Sequence, residues 1–226
     1  MSYFIYFNIP IPYIDSEIKY LNKIVNKCDT VIDIGANVGW YSLRLSKLVG
    51  ACGKVLVFEP FGPSFESLSK TIASLSLKNI SCVNKALGER DELVALEIPR
   101  LETGRINDPL VHVDPIGEGL IRMTTLDSEI NNSNISSISF IKVDVEGYEY
   151  FVFKGAEKTI LKYKPIILTE INGKWTKRYG ISVRDVNDLL CSFGYDSYTL
   201  RENQLRRINV ENSTEENFFY LPSKIN

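Results

Sequence analysis

The feature that most constrains this chain is an alternation between two hydrophobic periods. Thr30-Val-Ile-Asp-Ile-Gly35 is a short β-branched run that stops at a glycine. Val38, Tyr41, Ser42, Leu45, Leu48 and Val49 then recur at helical spacing. A nearly continuous apolar run predicts a strand buried on both faces, as in parallel sheets. The switch of period at Gly35 predicts a helix directly after a tight turn. The cadence returns with strands at Lys54 to Glu59 and Ile80 to Asn84, and with a helix marked by Phe65, Leu68, Ile72 and Leu75 between them. Ser139 to Asp144 reads as a fourth strand, Tyr148, Phe151, Val152, Gly155 and Ile160 as its helix, and Pro165 to Glu170 as strand five. Val183 to Phe193 is a further helix, and Tyr195 to Leu200 can pair with Asn217 to Leu221 as an antiparallel hairpin across a polar loop. Such alternation means βαβ units with right-handed crossovers. The expected architecture is an α/β domain with a seven-stranded mixed sheet, mostly parallel, whose last hairpin supplies the antiparallel strand.

Two regions stand outside the cadence. Asp15 can cap a helix reaching about Lys27, with Ile18, Leu21, Ile24 and Val25 inward, so residues 1–28 read as a segment packed on a domain spanning 29–226. From Leu93 to Met123, two short β-prone runs flank a Pro/Gly-containing excursion, Pro99 to Gly119, which reads as a surface insertion beside the site. Met1 to Ile14 is apolar but interrupted by Asn8, Pro10 and Pro12. It lacks a basic n-region and a cleavage site, and is too short to span a bilayer. It reads as a docking strand or a substrate-side flap.

Composition narrows the class. The 226 residues suit one domain that folds without staples. With 44% hydrophobic and 24% charged residues, disorder, collagen and membrane bundles are excluded. The net charge of −2 gives no reason to expect a nucleic-acid partner. Cys28, Cys52, Cys82 and Cys191 form no Cys-x-x-Cys pair and read as small buried hydrophobes in a reducing compartment. His112 is the only histidine, so a two-histidine zinc helix is impossible. The expectation is a cytoplasmic protein without a membrane span; its oligomeric state is not legible.

Ligands of open parallel sheets bind beyond the carboxyl ends of the strands. Those ends read Asp33-Ile-Gly35-Ala36-Asn37-Val-Gly39, Glu59-Pro60, Asn84-Lys85-Ala86, Asp144-Val-Glu146-Gly147 and Glu170. Acids at such ends must be solvated, paired or bound to something. Gly35 to Gly39 lacks the Gly-x-Gly-x-x-Gly spacing that cradles a pyrophosphate, and Asp33 would repel one. Asp33 suits a cationic ligand group, and Glu59 is placed to accept hydrogen bonds from ribose hydroxyls. S-adenosylmethionine, with a sulfonium, an α-ammonium and no phosphate, satisfies both. A rival is a short-chain dehydrogenase using Tyr150-x-x-x-Lys154; against it stand Asp33 and Tyr41, where that pattern wants a glycine.

Val31 to Gly39, Val57-Phe-Glu-Pro60, Asn84 to Gly88, Thr125-Leu-Asp127 and Ile141 to Glu149 resemble the successive motifs of FkbM-type methyltransferases. Gly155-Ala156 and Pro165 to Glu170 continue the pattern, which covers about residues 29 to 172 and returns weakly at Asn217 to Pro222. Thr71 departs from it, where an asparagine is usual. The resemblance implies a class I methyltransferase (Rossmann-like) fold, S-adenosylmethionine as donor, and usually O-methylation of sugars or natural-product hydroxyls. The acceptor is then a small molecule or a glycan; a non-catalytic donor-binding module on the same fold is the alternative. Candidate donor contacts are Asp33, Gly35, Ala36, Asn37, Gly39, Glu59, Asn84, Ala86 and Asp144. For catalysis, Asp144 or Glu146 is a candidate base if burial or the other's charge raises its pKa. Asp144, Glu170 and Asn172 also resemble the hard-oxygen ligands of magnesium-dependent catechol methyltransferases, where Mg2+ holds the acceptor hydroxyl. Lys142 shares a strand face with Asp144 and Glu146, which predicts an ion pair. Trp40, Trp175 and the Tyr148, Tyr150, Phe151 and Phe153 cluster read as packing.

Overall fold

The computed structural model describes residues 16–99, 110–114 and 118–223. The apolar run to Ile14, the cap at Asp15 and most of the expected insertion lie outside them. Strands β1 (Thr30–Ile34), β2 (Lys54–Phe58) and β3 (Ile80–Val83) alternate with helices α2 (Trp40–Val49) and α3 (Gly62–Ser74), after a short α1 (Ser16–Tyr20). The first helix is shorter than its apolar spacing predicts. It tightens into a 3-10 turn at Leu21–Lys23, where Leu21 O accepts from both Ile24 N and Val25 N.

The second half adds β8 (Phe140–Val143), α5 (Glu149–Lys154), α6 (Glu157–Tyr163), β9 (Ile166–Glu170), α7 (Gly173–Thr176), α8 (Val183–Ser192), β10 (Tyr195–Arg201), β11 (Gln204–Arg207) and β12 (Asn217–Pro222). The helix expected from Tyr148 onward breaks at Gly155, where a Cβ would stand 1.9 Å from the Gly88 carbonyl oxygen. The main sheet runs β11-β10-β12-β9-β8-β1-β2-β3. β3, β2, β1, β8 and β9 pair in parallel, and β12 and β10 join antiparallel. The class I methyltransferase-like layout holds, with eight strands rather than seven. The extra strand arises because Glu202 and Asn203 both adopt left-handed φ, 51° and 60°, which closes a tight hairpin onto β10.

Consecutive strand residues enter opposite cores, as a doubly covered sheet requires. Ile32, Ile34, Ile141, Val143 and Ile167 pack with Val152, Ile160 and Leu190 on one face. Val31, Val55, Val57, Phe140 and Leu168 pack with Leu45, Val49 and Leu68 on the other. Between Ala86 and Thr124 the described residues hold a second sheet, ordered β4 (Ala86–Leu87), β7 (Glu118–Thr124), β5 (Glu92–Glu97) and β6 (His112–Asp114). It ends at α4 (Leu126–Asn131), capped by the Thr125 hydroxyl. Among the described residues, no helix is long and apolar enough to cross a membrane.

One expectation is overturned. Cys28 and Cys52 form a disulfide with 4.7 Å between their Cα atoms, while Cys82 and Cys191 are free. Parallel register sets Thr30 opposite Lys54, so the residues two places before each strand stand side by side. A 24-residue spacing is no motif, and only the register reveals the pair. A cross-link closing a loop of this size contributes about 3 kcal/mol. Reduction, or the Cys28→Ser/Cys52→Ser double variant, should lower Tm by roughly 6–12 °C in calorimetry; an unchanged Tm would refute the pairing.

Candidate active site

The carboxyl ends of β1 and β8 meet under a glycine. Asp144 N donates to Ile34 O at 3.0 Å, and a Cβ on Gly35 (φ 78°) would lie 1.7 Å from the Asp144 carbonyl oxygen. Only glycine permits that approach. Gly35 N and Ala36 N then both donate to Phe58 O, tying the turn to β2. Gly39 (φ 89°) serves packing, because a Cβ there would be 2.3 Å from Leu68 Cδ1 of α3.

Glu59, 5% exposed, follows β2 and is held from both sides: Oε2 accepts from Asn37 N at 2.6 Å, and Oε1 from Phe61 N at 2.8 Å. Burial pushes its pKa to about 7 despite those bonds. The Asn84 amide donates to the carbonyls of Glu59 and Pro60 at 2.8 and 3.0 Å, fastening the strand end.

Asp33, fully buried, accepts from Ser42 Oγ at 2.5 Å through Oδ2, and its Oδ1 has no hydrogen-bond partner. Burial raises its pKa, with the Lys142 charge opposing the rise. Lys142, its register partner on β8, is buried and pairs with Asp144 Oδ2 at 2.7 Å, 4.4 Å from the Tyr41 ring centroid. Burial works against the Lys142 charge, yet Asp144 and Asp33 hold its pKa above the usual value. The ion pair expected for Lys142 is therefore present.

Beyond Asp144 the chain turns through Glu146 (φ 56°) and Gly147 (φ 103°). Glu149, 1% exposed, accepts from Val145 N and Gly147 N at 3.1 Å each. Burial pushes Glu149 to about 7. Burial and the charges of Asp144 and Glu170 push Glu146 to about 8. Glu146 has no hydrogen-bond partner among the described residues.

These ends enclose a cavity of about 130 Å³. That is below the roughly 300 Å³ at the small end of ligand sites, so a nucleoside-sized ligand needs the open space before it or a displaced wall. Of the residues singled out by sequence, Gly35, Asn37, Glu59, Ala86, Asp144 and Glu146 line it. Asp33, Ala36, Gly39, Asn84 and Glu170 do not: they stand behind the lining or to one side. Sequence reasoning missed Lys85, Leu87, Tyr148 and the β6 wall of Val111, His112 and Val113. Tyr148 lies inside the Ile141 to Glu149 motif but reads from sequence as packing, and the wall falls within the presumed insertion.

The β6 wall is braced from the segment after β9. Tyr179 Oη donates to Val113 O at 2.5 Å, and its ring meets Tyr148 edge-on at 5.1 Å. Arg178 Nη1 lies 2.7 Å from His112 Nε2, which also lies 3.1 Å from Glu97. Glu97, His112 and Asp114 are the one metal-like group of His, Cys, Asp and Glu among the described residues, and the guanidinium opposes a cation there. Asp144 and Glu170 belong to no such group. Asn172 is committed elsewhere, accepting from Lys174 N and donating to Glu216. Of the set expected for Mg2+, the Asn172 amide is thus engaged by Lys174 and Glu216. The dehydrogenase pair stands away from the cavity: Lys154 Nζ lies 5.8 Å from the Tyr150 ring centroid and pairs with Glu89 at 2.7 Å, and neither residue lines the cavity.

Residues 33–197 match the family described as Methyltransferase FkbM domain. A protein-L-isoaspartate O-methyltransferase of Methanococcus maripaludis is 25% identical over 125 residues, covering 49% of this chain and 59% of the relative. The chain thus spans about three-fifths of that curated relative's length. Among solved structures, an FkbM methyltransferase of Methylobacillus flagellatus matches with TM-score 0.56 and 17% identity over 85% of this chain and 43% of its own. A SAM-dependent O-methyltransferase of Thermotoga maritima matches with TM-score 0.54 and 11% identity over 97% and 70%. At those identities the likeness establishes the fold.

The buried acids set a pH dependence. Glu59, Glu149 and Glu146 stay protonated in the fold at pH values where the unfolded chain has released those protons, because their pKa values stand above 4.5. Their favourable contribution is complete below about pH 4.5 and is lost as pH rises through 7 to 8. Tm without donor should fall from pH 5 to pH 8; a flat or rising Tm would contradict the burial described.

Proposed function

The chain belongs to the FkbM methyltransferase family, and from that membership we propose that it transfers a methyl group from S-adenosylmethionine to a hydroxyl oxygen of a sugar or natural product. The observation that carries this reading is the lining of the cavity at the ends of β1, β2 and β8. Three acids, Glu59, Asp144 and Glu146, meet a glycine turn there. That lining opposes a pyrophosphate and suits a donor that is cationic, hydroxyl-bearing and free of phosphate. Glu59 would hold the ribose hydroxyls, since each carboxylate oxygen spends one lone pair on an amide and keeps others free. Gly35, Asn37 and Ala86 would shape the seat. Asp33 and Gly39 act from behind, through Ser42 and Leu68, and Asn84 acts by fixing Glu59.

The bound donor supplies an electrophilic methyl group on a sulfonium. The protein's part is to hold the acceptor oxygen in line and to take its proton. Glu146 is assigned that proton: it faces the cavity, and a pKa near 8 makes its carboxylate a competent base. Asp144, paired with Lys142, orients. No metal enters this scheme.

Three outcomes test the reading. Glu59→Ala should weaken donor binding by about 10- to 150-fold in calorimetry, as loss of hydrogen bonds to a charged group does. Glu146→Gln should retain donor binding and lose at least about 100-fold in kcat. Because the base must be ionised, wild-type kcat should rise with pH and level off above about 8. Activity abolished by EDTA and restored by magnesium would replace the base with a metal, and donor binding without turnover on any hydroxyl would make the protein a binding module.

A further inference from the structure

The segment from Asp144 to Gly147 is an improbable path for a chain. Glu146, which carries a Cβ, sits at φ 56°, and Gly147 follows at φ 103°. Left-handed backbone is disfavoured for residues other than glycine, so Glu146 needs an external hold. One side of the hold is steric. A Cβ on Gly147 would lie 2.5 Å from the Trp175 carbonyl carbon, so the turn is pressed against α7. The other side is Glu149, at the start of α5, which follows the turn. Its Oε1 accepts from the backbone N–H groups of Val145 and Gly147, the residues on either side of Glu146. Glu149 is buried and does not line the cavity, whereas Glu146 does.

We propose that Glu149 is the positioning residue of this site: one buried carboxylate oxygen grips the amides on either side of Glu146 and fixes where its carboxylate stands. The proposal rests on the reading of Glu146 as the group that takes the acceptor's proton. Only Oε1 makes the grip. Oε2 is buried and has no hydrogen-bond partner, and burial brings the neutral form of Glu149 within reach at ordinary pH. Geometry rather than charge is therefore the requirement, which separates this role from a purely electrostatic helix cap.

Three variants divide the possibilities. Glu149→Gln keeps an oxygen in the Oε1 position; Glu149→Asp keeps the charge but falls one methylene short; Glu149→Ala removes the grip. Each is measured for donor affinity by calorimetry, for kcat by S-adenosylhomocysteine release on a hydroxyl panel, and for amide hydrogen exchange at Val145 and Gly147. Gln should stay within about 3-fold of wild type in all three, since its oxygen still accepts both amides. Asp and Ala should lose about 100-fold in kcat, the cost of a misplaced catalytic group, with donor affinity within about 3-fold of wild type. Their exchange at Val145 and Gly147 should quicken by about 10-fold or more. The proposal is overturned if Gln is as impaired as Ala, if donor affinity falls as far as kcat, or if exchange at the two amides does not change. If Asp and Ala fail to fold, Gln decides, and its loss of turnover or of amide protection refutes the grip. If wild-type protein methylates no acceptor, the proposed reaction fails, and the exchange data judge the grip alone.

Discussion

The structure depends on one close approach. The ends of β1 and β8 converge so tightly that the carbonyl of Asp144 occupies the space a side chain would need at position 35. From that crossing follow the lashing of the turn to β2, the start of α2 and the placement of Asp144 beside the cavity. A parallel sheet opens its ligand crevice where strands diverge to helices on opposite faces, and β1 and β8 are the strands on either side of that divide. The glycine turn and the Asp-Val-Glu-Gly turn are thus two halves of one contact.

Around it the protein concentrates carboxylates and satisfies them in three ways. Asp33 leans on Ser42, Asp144 on Lys142, and Glu59 and Glu149 on pairs of backbone amides. Buried acids are tolerable only with such partners or when protonated. Glu146 makes none of these bonds among the described residues and faces the cavity, so its proton is held by burial and neighbouring charge alone. That contrast distinguishes a group available for chemistry from groups that build the seat. The arrangement is compatible with methyl transfer and with the family to which the chain belongs.

Much of this was legible beforehand, and its gaps have a common origin. Gly35, Asn37, Glu59, Ala86, Asp144 and Glu146 line the cavity as their places at strand ends suggested. Asp33 does not, because strand residues alternate faces and it is Ile34 that lines the cavity. Glu170, at the end of β9, remains outside the lining, and its charge acts on Glu146. The wall of Val111 to Val113 escaped notice because its strand is three residues long and its bracing comes from Arg178 and Tyr179, some 66 residues away in the chain.

By itself the sequence determined the local elements: where β-branched runs form strands, where apolar spacing forms helices, and where only glycine can make the turn. These follow from dihedral preference and periodicity, which act over a few residues. Tertiary structure alone decided which distant groups meet. The Cys28–Cys52 bond, the eighth strand, the β6 wall and the burial that lifts Glu146 all depend on register and packing between segments far apart in sequence. Partners of that kind carry no spacing signature, because their distance is set by the sheet and not by the chain between them.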